Sequence, residues 1–182
     1  MCVPGHDAFE GTATDEALDL AEAGDIVGAR EVLMKTLVRD LRCLDAHAHL
    51  GNFRFDRCPE DALVHYEIGM RIGDWLLPAG FDGILPWSAL YNRPYLRCMH
   101  GYGLCLWRLG HHHEATTVFE RMLTLNPNDN QGARVCYFDA RAGRSWDEMH
   151  ERDEREAAEQ RVDFERRWAP EQHVRNDDPH TN

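Results

Sequence analysis

The sequence predicts an all-α chain of stacked helical hairpins, and three observations carry that prediction. Apolar residues recur at helical spacing on both sides of a short turn: Ala17, Leu20 and Ala21 before Gly24-Asp25, and Ala29, Val32, Leu33 and Leu37 after it. The same design returns with its turn at Cys58-Pro59, and again with its turn at Gly110. The second helices align on a small residue, Ala29, Ala62 and Ala115, followed four places later by Leu33, Tyr66 and Phe119. Ala29 and Ala62 lie 33 residues apart, while Ala62 and Ala115 lie 53 apart, one unit of 34 plus an insertion of 19. Periods of this size mark α-solenoids, because one hairpin cannot bury its apolar stripe alone and must stack on the next.

Each element has a local reason. The first unit spans about Glu10 to Cys43, and the second about Leu44 to Leu76. DAHAHL alternates apolar and polar residues, but its alanines favour helix and it lacks the β-branched residues of a strand. The third unit, about Leu96 to Asp129, is the most regular. Gly110 permits the positive φ that ends its first helix, Pro127 stops the second, and NPNDN supplies turn and cap chemistry. The fourth, Asn130 to about Ala158, is degenerate: CYFDARAG and WDEM keep the turn, but Asp153 and Glu156 fall where apolar residues belong.

Two segments leave the pattern. Gly73 to Tyr95 holds the insertion, broken at Leu77-Pro78 and Leu85-Pro86. It reads as an elongated second helix plus a loop over the edge of the array, or as a lid or docking element. Trp146 to Asn182 is mostly charged and reads as a solvated capping helix with i,i+4 pairs such as Glu151–Arg155, fading near Pro170. The layout is a tail at 1–9, repeats at 10–158 with the insertion at about 77–95, and a charged helix end and flexible tail at 159–182.

The chain resembles the tetratricopeptide repeat (TPR) family, whose 34-residue unit is a helix–turn–helix. Gly103, Leu106, Gly110, Ala115, Phe119 and Pro127 carry the likeness in the third unit. Ala17, Leu20, Gly24, Ala29 and Leu33 carry it in the first, and Leu50, Gly51, Ala62, Tyr66 and Gly69 in the second. RPYLR, GLCLWRLG and LNPNDNQG also resemble bacterial members without an assigned activity. The resemblance implies a right-handed α-solenoid whose first helices line a concave, protein-binding face. It places Arg97, His100, Leu104, Trp107 and Arg108 of the third unit on that face, with Gln131, Arg134, Phe138 and Arg141 of the fourth. The second unit would add Asp45, Asn52, Phe55 and Asp56. The family's carboxylate clamp for chaperone C-termini is not reproduced, since Thr14 and Leu18 stand where its lysine and asparagine belong.

Composition narrows the function. A net charge of −12 argues against general nucleic-acid binding and against an anionic membrane surface. No apolar run approaches the roughly 18 residues of a membrane span, and MCVPGHDAFEGTATDE lacks the regions of a signal peptide. Six scattered cysteines without a CxxC pair suit a cytoplasmic protein with reduced thiols.

No GxSxG, HExxH, Walker A or GxGxxG motif occurs, so no catalytic constellation and no cofactor are expected. His111, His112 and His113 fall in a turn, where consecutive residues point apart, so the cluster reads as a turn. Cys43 and His47 could share a helix face as zinc ligands do, but His49 lies half a turn away and Cys58 sits in a turn. No metal site is expected.

The expected function is therefore a non-catalytic scaffold whose basic, aromatic groove takes an acidic protein or peptide. Arg97, His100, Trp107, Arg108, Arg134, Phe138 and Arg141 are its candidate ligand-binding residues. The rivals are a metal-dependent accessory protein or enzyme using the histidines, and a structural protein that self-associates.

Overall fold

The computed structural model describes residues 10–168. The expected tail at 1–9, Cys2 and the chain beyond 168 lie outside the described residues. Those described form α1 (Glu10–Glu22), α2 (Ile26–Arg39), α3 (Leu44–Phe55), α4 (Pro59–Leu76), a 3₁₀ turn (Leu90–Asn92), α5 (Arg93–Arg108), α6 (His112–Leu125), α7 (Ala133–Arg141) and α8 (Trp146–Trp168). There is no strand among them, so the fold is all-α. The chain divides into two compact units between Trp146 and Asp147.

In the first unit, helices pack in chain order. α1 packs on α2, α3 on α4 and α5 on α6, and each pair meets the next through α2–α3, α4–α5 and α6–α7. Alternate helices touch as well, α3 with α5 and α5 with α7. The turns between them follow from local chemistry. Gly24 and Gly110 hold φ of 88° and 82°, which a side chain would resist. The Asp25 carboxylate accepts the Gly28 N–H at 2.9 Å and caps α2. Pro59 opens α4, where its missing N–H would have had no helical partner anyway.

Glycines mark where the helices come closest. The Tyr66 ring of α4 lies between Gly51 of α3 and Gly101 of α5. A β-carbon would sit 2.6 Å from that ring at Gly51 and 2.3 Å at Gly101. The Tyr66 hydroxyl donates to Asn52 Oδ1 at 2.6 Å, which fixes the ring in its slot. Gly103 meets Phe119 in the same way, with a β-carbon 2.7 Å from the ring, and Ala115 beside it is fully buried. Between α1, α2 and α3, a separate core gathers Ala17, Ala29, Leu33, Leu37, Cys43, Ala46 and Leu50.

The insertion is tied down at several points. α4 runs for 18 residues against 14 in α2 and α6. The chain then crosses to the end of α6, where the Leu85 N–H donates to the Leu125 carbonyl at 2.6 Å. Asn92 Nδ2 donates to the Pro86 carbonyl at 3.1 Å. Asp74 of α4 accepts the Tyr95 hydroxyl at 2.5 Å and two N–H groups of Arg121 at 2.6 and 3.1 Å, so one carboxylate joins α4, α5 and α6.

α8 differs in kind: none of its residues is buried. Its support is local, in i,i+4 pairs such as His150–Glu154 at 3.5 Å and Arg152–Glu156 at 3.9 Å, each contributing a few tenths of a kcal/mol. No described helix is long and apolar enough to cross a membrane.

Candidate functional site

The residues expected on one basic strip fall into two groups. On α5 they are engaged within the chain. Arg97 donates to Asp45 Oδ1 of α3 at 2.9 Å, and its guanidinium lies 5.9 Å from the Trp87 ring centre. Arg93 shares that ring at 5.2 Å and donates to the Trp87 carbonyl at 2.9 Å, so the insertion is held against the start of α5. Arg108 donates to the carbonyls of Phe55 at 2.5 Å and Asp56 at 3.0 Å. It thereby satisfies the carboxyl end of α3, where carbonyls lack helical partners and positive charge is favoured.

Trp107 departs furthest from expectation. It is 1% exposed, with its indole N–H donating to the Arg144 carbonyl at 2.7 Å. Its ring meets Trp146 edge-on at 5.5 Å and Phe119 at 6.5 Å. Trp146 also packs on Phe55 at 5.5 Å and lies 6.0 Å from the Arg108 guanidinium. Trp107 is therefore a core residue, because Trp146 covers the side that would have faced a ligand. Spacing alone concealed this. Trp146 is nonetheless the one large apolar side chain directly after the Gly143 turn, and that isolation is a readable signal.

His100 is withdrawn as well. Its ring stands edge-on to Phe119 at 6.2 Å, and Nε2 is buried without a hydrogen-bond partner. Burial pushes its pKa down to about 4, against a smaller opposing pull from Asp129. Burial likewise lowers the pKa of His47, His49 and His65 below 6.5. Folded pKa values below the unfolded value mean that the unfolded chain takes up protons first. The stability His100 contributes is thus full above about pH 6.5 and is lost as pH falls toward 4, and the other three histidines act in the same direction. Thermal midpoints should drop across that window, and His100→Gln should make the drop shallower. Parallel curves for the variant and the wild type would mean that His100 does not titrate as its burial requires.

The α7 residues remain open. Arg134, Phe138 and Arg141 are exposed, Phe138 by 59%, and Val135 beside them by 57%. Arg141 donates to the Tyr137 hydroxyl at 2.5 Å and lies 5.6 Å from that ring's centre, which orients its guanidinium. The backbone N–H of Arg134 donates to Asp129 Oδ2 at 3.1 Å, anchoring the start of α7. α7 ends at Arg141, and the guanidinium of Arg144 beyond it pairs with the buried Asp139. A cleft of about 570 Å³ runs between α6 and α7, lined by His112, His113, Thr116, Tyr137 and Arg141 among others.

The two histidine groups do not converge. His111 lies 4.0 Å from Glu114, while His112 and His113 open α6 and border the cleft. His47 Nε2 is 3.0 Å from the Leu41 carbonyl, His49 is 3.8 Å from Asp45, and the Cys58 thiol donates to Glu60 at 3.5 Å. Among the described residues, no three His, Cys, Asp or Glu side chains are placed to hold one ion. No protein-family model matches the chain, and no curated protein matches it either.

Proposed function

We propose that this chain is a non-catalytic, TPR-like scaffold that binds an acidic amphipathic helix or peptide of another protein at α7. The repeat spacing supports the architecture, together with helices that pack in chain order and the Gly–aromatic contacts at Tyr66 and Phe119. The observation that carries the function is the open face of α7. The end of a stacked array is ordinarily polar, since nothing further packs on it. Here Val135 and Phe138 stand exposed between Arg134 and Arg141. Such a face suits a partner helix with an apolar stripe and flanking carboxylates, which the planar guanidinium groups grip in pairs. The cleft beside it has room for that partner's side chains. Arg97 and Arg108 serve instead to hold α3, α5 and the insertion in place.

The test is retention of proteins from cell extract on the immobilised chain. Arg134→Glu with Arg141→Glu should weaken retention of the bound protein by at least about tenfold, and rising salt should weaken it in the wild type. Equal retention by the charge-reversed chain would end the reading.

A further inference from the structure

Two imidazoles meet where α3 packs on α4. His47 of α3 and His65 of α4 have ring centres 5.9 Å apart, with the planes tilted by 45°. His47 is 1% exposed, while His65 is half-buried. His47 Nε2 stands 3.0 Å from the Leu41 carbonyl, which can only accept, so Nε2 carries the ring proton. Burial holds both rings neutral at pH 7. Nδ1 of His47 is then a bare lone pair, buried and without a hydrogen-bond partner in the chain. Nδ1 of His65 is buried without a partner as well. Buried polar atoms are ordinarily satisfied, so two such nitrogens on neighbouring rings point to a ligand they share.

Metal-bound histidines have this arrangement: one nitrogen takes the ion, and the other gives its N–H to a backbone carbonyl that fixes the tautomer. Two imidazoles holding one ion at about 2.0 Å have ring centres roughly 5–6.5 Å apart. The observed separation of 5.9 Å lies in that range. The surroundings select the ion. Among the described residues, no third His, Cys, Asp or Glu completes a set with these two rings. Cys98, which meets His47 across Gly69, donates its thiol proton to the Leu44 carbonyl at 3.3 Å. Asp61 lies 3.7 Å from Arg54, and both Arg54 and Arg30 set positive charge near His65. Two neutral nitrogens beside arginines suit a divalent ion poorly, since it takes four or more donors. Imidazole suits copper, and the monovalent ion is satisfied by two donors and carries half the charge. We propose that His47 and His65 form a two-histidine site for copper(I), reached from the half-buried side of His65. The bound ion ties α3 to α4, so it stabilises the folded chain.

Oxygen-free titration of the full chain with copper(I), against a coloured copper(I) chelator, tests this. Thiolates also take copper(I), so the chain carries Cys2→Ser, Cys58→Ser and Cys136→Ser, which leaves the buried Cys43, Cys98 and Cys105. It should hold one equivalent, its thermal midpoint should rise, and X-ray absorption should show two nitrogen neighbours and no sulfur. His65→Gln, at the more exposed position, should weaken binding at least about tenfold and remove the rise in midpoint. His47→Gln should do the same, with circular dichroism confirming its fold. Copper bound through sulfur, a His65→Gln chain that binds as tightly as its parent, or no copper held against the chelator would each overturn the proposal.

Discussion

Trp107→Ala is expected to lower the free energy of unfolding by about 3–5 kcal/mol, the range for truncating a fully buried aromatic side chain. The indole is 1% exposed and touches both Phe119 and Trp146. Its removal leaves a cavity at the carboxyl end of α5 and leaves the Arg144 carbonyl without its donor. The neighbours cannot simply close the gap. Phe119 is fully buried against Gly103, and Trp146 also packs on Phe55 and beside Arg108. Denaturant unfolding followed by circular dichroism measures the loss. A change below about 1 kcal/mol would return Trp107 to the surface position first expected of it.

Gly101→Val should cost about 1–3 kcal/mol through overpacking, after allowance for the gain of up to about 1 kcal/mol when a helical glycine is replaced. The new β-carbon would lie 2.3 Å from the Tyr66 ring. That ring has nowhere to go, because Gly51 closes the opposite side and the hydroxyl is held by Asn52. The diagnostic is a double-mutant cycle. Tyr66→Leu leaves room for the valine, so the pair should be less destabilised than the sum of the singles by at least about 1 kcal/mol. Strict additivity would show that α3, α4 and α5 do not meet at this ring.

Much of the architecture was legible because helix periodicity and the spacing of small and aromatic residues are local signals. Ala29, Ala62 and Ala115 are all fully buried, and Gly51 and Gly103 stand at the close approaches their smallness implied. The Asp45–Arg97 ion pair was also within reach: both occupy the second position of their units, so stacking brings them together. The face of α7 could be read in the same way, since Arg134, Phe138 and Arg141 follow one helical line.

The sequence by itself determined the helices, their turns and their pairing in chain order, since each depends on residues a few positions apart. Only the tertiary structure decided which polar and aromatic side chains are available to a ligand. Arg108 is taken up by α3 carbonyls 53 and 52 residues away, and Trp107 is covered by Trp146, which begins α8 three helices later. His100 is pressed against Phe119, while Val27 and Val38 of α2 are left exposed. Helical spacing states the direction in which a side chain leaves its helix. Whether it then meets water or another part of the chain depends on long-range packing, which no window of a few turns contains.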